Sequence, residues 1–119
     1  MNHRFLSDAS FHPPTKMAII GYRYQNQIVS KVISDTKNID AEIHAFQMAV
    51  QSALDKGYEL RDCQFVTDCE KVMRIGSAQC LHMIKIKGHK PRAEKDQLDR
   101  EFAELDRTLR RSLRKKIGV

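Results

Sequence analysis

Very little in this chain is shaped for crosslinking, membrane crossing or repetition. Its 119 residues include three cysteines, Cys63, Cys69 and Cys80, with no C-x-x-C spacing. An odd, scattered set of this kind excludes a disulfide framework and a zinc ribbon and is read as reduced thiols, mostly buried. The one close Cys/His pair, Cys80 and His82, is two ligands short of a structural zinc site, so both are expected to fill core. No run approaches 18 apolar residues, which excludes a transmembrane helix. The opening MNHRFLSDAS lacks the apolar stretch and small-residue cleavage site of a signal peptide, so a cytoplasmic protein is expected. There are no internal repeats and no low-complexity linkers. Acidic residues are also missing from one place: none follows Asp106.

What remains is an ordinary globular composition, 41% apolar and 30% charged, in a length that suits one domain spanning 1–119. The net charge of +6 is uneven, because positions 100–119 hold seven basic residues against three acidic ones. Such an end fits a polyanion partner and a merely solvated tail equally well.

Arg4 to Ser10 is strand-like, and the His-Pro-Pro run within Phe11 to Thr15 is expected to form a loop. Met17 to Tyr24 and Gln27 to Ser34 are β-rich and separated by Gln25-Asn26, a hairpin spacing with Asn26 able to take positive φ. From an Asp40 cap, Ile43, Phe46, Val50 and Leu54 recur with helical spacing until Gly57. Asp62 to Thr67 reads as a strand parallel to the first, since a helix intervenes. Cys69 to Ile75 reads as a brief helix stopped by Gly76, and Leu81 to Lys87 as a fifth strand. From about 94 to 116, Leu98, Phe102, Leu105, Leu109 and Leu113 form the apolar stripe of a basic last helix. The order β-β-β-α-β-α-β-α predicts an α/β fold, a five-stranded mixed sheet flanked by helices.

Within that order four carboxylates are expected to gather at one end of the sheet. Asp8 lies in the first strand, Glu42 opens the first helix, Asp68 ends the strand CQFVTD and Asp99 sits in the first turns of the last helix. Acids so placed point to a divalent cation, because hard cations take oxygen ligands.

Asp8-Ala9-Ser10 with Pro13-Pro14 and Ile20-Gly21-Tyr22, Ala41-Glu42 with Ala45, Ala49, Ala53 and Gly57, Val66-Thr67-Asp68-Cys69 with Val72, and Ile86-Lys87-Gly88-His89 with Asp99 ten residues on together resemble type 1 ribonuclease H. The resemblance runs from Asp8 to about Leu105. It implies a ribonuclease H-like fold and a metal-dependent endonuclease that hydrolyses the RNA strand of RNA/DNA hybrids, leaving 5′-phosphate and 3′-hydroxyl ends. By position it makes Asp8, Glu42, Asp68 and Asp99 both catalytic and metal-binding, around two Mg²⁺ or Mn²⁺ ions. Asp8 would bridge the ions, Glu42 and Asp68 would hold the leaving-group side and Asp99 the attacking-water side, while His89 would move a proton. Ser10 and Asn38 become candidates for sensing RNA 2′-hydroxyls, and Arg107 and Arg111 for holding backbone phosphates.

Three departures bear on this. Ala9 stands where the family usually has glycine, and Glu70 where it often has a substrate-contacting glutamine; the short span from Cys69 to Gln79 leaves no room for a basic protrusion. A catalytically weakened adaptor that binds nucleic acid, and a nuclease acting on structured RNA or DNA, are therefore alternative readings.

Overall fold

The computed structural model describes residues 3–87 and 96–118. Its elements follow the expected order: β1 (His3–His12), β2 (Met17–Tyr24), β3 (Gln27–Ile33), α1 (Asn38–Asp55), a 3₁₀ turn (Leu60–Asp62), β4 (Cys63–Thr67), α2 (Glu70–Ala78), β5 (His82–Lys85) and α3 (Gln97–Ile117). The five strands form one mixed sheet ordered β3-β2-β1-β4-β5. The meander β1-β2-β3 is antiparallel, and β4 lies parallel to both β1 and β5. No helix among the described residues is long and apolar enough to cross a membrane.

Alternation along the strands sends side chains to two cores. Phe5, Tyr22, Tyr24 and Phe65 pack under α1 and α2 with Phe46, Ala49, Ala53 and Val72. Leu6, Ile19 and Val66 face the other way, against Phe102, Leu105, Leu109 and Leu113 of α3. Gly21 lets α3 come this close: a Cβ there would stand 2.8 Å from Leu109 Cδ2 and 2.7 Å from the Val29 carbonyl oxygen.

Several local expectations give way to packing. β1 runs on to His12, so the loop shrinks to a turn in which Lys16 N–H donates to the Pro13 carbonyl and Lys16 takes φ 54°. In the β2-β3 hairpin, Gln25 rather than Asn26 adopts positive φ, 55°. α1 starts after Lys37, and Asp40 lies in its first turn instead of capping it. Its buried stripe is Ala41, Ala45, Phe46, Ala49, Ser52 and Ala53, while Leu54 is 48% exposed. Small residues let this helix sit low on the sheet, which moves the larger apolar residues to its flanks. Gly76 does not end α2; it is buried within the helix beneath the Met83 side chain. Cys80 and His82 are exposed and outside either core, and of the three free thiols Cys63 is the buried one.

Candidate metal centre

β1 and β4 set up the site by being unequal in length. Their parallel register pairs His3 with Cys63 through Leu6 with Val66, and β4 stops at Thr67 while β1 continues to His12. Continued by two residues, the same register puts Asp8 level with Asp68. β1 therefore borders a notch in the sheet where β4 has ended. On its other side β1 stays paired, Asp8 standing opposite Gly21 of β2.

Asp68 occupies the bend between β4 and α2. The Thr67 hydroxyl oxygen accepts from the Cys69 N–H at 3.1 Å, and the Thr67 carbonyl accepts from the Ile86 N–H at 2.8 Å, so the chain is held on both sides of Asp68. Glu42 arrives from α1. Ala41 and Ala45 pack on Ala9, Ala18 and Ile20, and this small-residue contact brings the next residue, Glu42, to the rim of the notch.

One carboxylate oxygen from each of Asp8, Glu42 and Asp68 lies within 4.8 Å of the other two. Asp8 is 3% exposed, and its Oδ2 finds no hydrogen-bond partner among the described residues. A buried carboxylate oxygen without a donor is costly unless something positive meets it. Burial first, then the charges of Glu42, Asp68 and Asp106, holds the Asp8 carboxyl well above its ordinary range. Burial, Asp68 and Asp106 likewise push Glu42 from its ordinary 4.5 up to about 8. The neighbouring Ala9 N–H opposes the rise in both. Three hard oxygen donors that repel one another and a partnerless buried oxygen fit a divalent cation.

Asp106 is an acid near the site that the sequence reading did not single out. Its charge acts on both Asp8 and Glu42, and it is partly exposed on α3 with its Oδ2 2.6 Å from Arg110 Nη2. Asp99, assigned to this position from the sequence, is not in the converging group. It is buried at the start of α3 in a capping box, its N–H donating to Asp96 Oδ1 at 2.9 Å and its Oδ2 accepting from the Asp96 N–H at 3.2 Å. Seven residues of helix separate the two acids, about 10 Å along the axis. Both fall on the stripe of Phe102, Leu105 and Leu109, so helical periodicity does not distinguish them. The distinguishing signal is which turn of α3 crosses β1 level with Asp8, and that depends on tertiary packing.

Ser10 is buried on β1 two residues past Asp8, and Asn38 is exposed at the first position of α1. Arg107 and Arg111 are exposed on α3. His89 lies outside the described residues. Glu70 is drawn to cations: its oxygens lie 2.9 Å from Lys85 Nζ and 3.8 Å from Arg74 Nε, and Lys85 holds its carboxyl below the ordinary range. A separate groove of about 790 Å³ runs between β3 and α1, floored by Ile20 and Tyr22 and edged by Lys31, His44 and Gln47. The three acids lie outside it. No protein-family model matches the chain, and no characterised protein matches it.

Proposed function

We propose that this chain is a metal-dependent endonuclease of the ribonuclease H type, hydrolysing the RNA strand of RNA/DNA hybrids to 5′-phosphate and 3′-hydroxyl ends. The observation that carries the reading is the meeting of Asp8, Glu42 and Asp68, from three separate elements, within 4.8 Å around a buried oxygen that lacks a donor. Asp8, Glu42 and Asp68 would hold the cations, with Asp106 taking the place that the resemblance gives to Asp99. Two Mg²⁺ or Mn²⁺ ions, when bound, supply the Lewis acidity that activates water and offsets charge on the leaving oxygen.

The chain's own part is to fix the carboxylates before substrate arrives. Pairing of β1 with β2 and the Thr67 turn hold the backbone at Asp8 and Asp68, so little reorganisation is needed there as charge develops. Ser10 beside Asp8 and Asn38 at the head of α1 are the candidates for reading 2′-hydroxyls, the groups by which RNA is told from DNA. Pairing of Glu70 with Lys85 and Arg74 offsets the negative charge that would otherwise face phosphate, which favours the enzyme over the weakened adaptor.

The test is a labelled RNA/DNA hybrid beside double-stranded RNA, single-stranded RNA and duplex DNA, each with Mg²⁺, Mn²⁺ or chelator. Cutting is expected only in the hybrid, only with divalent cation, and not by Asp68→Asn. That variant should melt at or above the wild-type temperature in chelator, because it removes one of the repelling charges. Cleavage that persists in chelator or in Asp68→Asn, or binding of the hybrid with no cleavage under either metal, would sink the proposal.

A further inference from the structure

We infer that the C-terminal half of α3 is the docking surface for the phosphodiester backbone of the nucleic acid, with Arg107, Arg110, Arg111 and Arg114 as its phosphate contacts. The inference rests on the nuclease reading and adds to it the path of the polymer away from the acids.

α3 is divided by charge. Every acid of the helix lies at or before Asp106, and beyond it come six basic residues: the four arginines, Lys115 and Lys116. Burial of Leu105, Leu109 and Leu113 fixes which side of the helix meets the sheet, and the four arginines stand exposed on the opposite side. Together they line a recess of about 240 Å³ with no other residue in its wall among the described residues. Four guanidiniums around one recess repel one another, and an anion between them turns that repulsion into attraction. Guanidinium forks match phosphate oxygens in pairs, which a compact ammonium does not.

The recess adjoins Asp106. Arg110 holds Asp106 at 2.6 Å, and Asp106 is the acid of α3 whose charge reaches Asp8 and Glu42. From Arg107 to Arg114 the helix rises about 10 Å, equal to about three nucleotides of one strand. A backbone whose scissile phosphate lies at the acids can therefore continue over the arginines.

The experiment is equilibrium binding of a fluorescent RNA/DNA hybrid to the full chain in chelator, across a salt series, with Arg111→Glu/Arg114→Glu and Arg111→Lys/Arg114→Lys double variants. The Glu pair should bind roughly tenfold more weakly at low salt and lose about two from the slope of log K against log salt, whereas the Lys pair keeps most of the slope. An unchanged slope in the Glu pair overturns the inference, and so does poly-glutamate displacing the hybrid as well as unlabelled hybrid does, which would give the surface to an acidic protein. Because chelator suppresses hydrolysis, this result is independent of the cleavage assay: arginine-dependent binding without cutting keeps the docking surface and removes the nuclease, and cutting with an unchanged slope does the reverse.

Discussion

At the scale of single residues, two aspartates on one helix have different work. Asp106 adds its charge to Asp8 and Glu42, whereas Asp99 exchanges hydrogen bonds with Asp96 at the helix start. Asp106→Asn should therefore weaken divalent-cation binding, measured by calorimetry, by roughly 10- to 100-fold while leaving the melting temperature in chelator unchanged or raised. Asp99→Ala should cost about 1 kcal/mol of stability through the lost capping box and leave cation affinity near wild type. The opposite pattern would return the fourth ligand to Asp99. Glu42 and Asp68 were legible in the sequence because they lie near a helix start and just past a strand end, and Asp8 because it is an acid inside an apolar-flanked strand. Asp106 was not, since it lies mid-helix where only the crossing of α3 over the sheet brings its charge to bear on the site.

At the scale of elements, close approach is set by glycine and alanine. A Cβ on Gly21 would meet the Val29 backbone oxygen at 2.7 Å, and backbone within a sheet cannot step aside. Gly21→Ala should cost about 1 to 3 kcal/mol, read from the urea midpoint. Gly76→Ala should cost less, because the overlap there is with the adaptable Met83 side chain and alanine is the better helix former. Equal losses at the two sites would contradict this account. The same close packing explains which elements the sequence revealed. β2, whose residues are buried almost throughout, was legible to the residue, from Met17 to Tyr24. The apolar stripe of α1 held for Phe46, which is buried, and for Ile43 and Val50, which pack half-buried against the core, but Leu54 is exposed and alanines take the positions nearest the sheet. The end of α2 was misplaced for a related reason: Gly76 serves a contact with β5 rather than a helix stop.

At the scale of the whole molecule, the acids make stability depend on pH with an unusual sign. Glu42 titrates near 8 in the folded chain and near its ordinary 4.5 once unfolded, so between those values the folded state holds more protons. Stability in chelator is accordingly greatest below about pH 4.5 as far as this group is concerned, and falls as pH rises to about 8. Asp8, shifted in the same direction, adds to the fall. Divalent cation competes with these protons, so the melting-temperature gain from Mg²⁺ should grow across the same window. Thermal melts with chelator and with Mg²⁺ check both, and a metal-free stability that climbs with pH there would refute the assignment. The order of elements and the mixed sheet were legible from periodicity and turn residues. The notch was not, because it arises from the difference in length between two strands distant in sequence.

β1 is the middle strand of five, with Phe5 in one core and Leu6 in the other. Asp8 is thus mounted on a strand that stays paired with β2 from Phe5 to His12, and the β1 amides bonded to that partner should exchange with deuterium slowly. The repulsion acting on Asp8 therefore cannot be released by fraying of an edge strand. Losing the cation-binding arrangement and losing the native state should be one cooperative event.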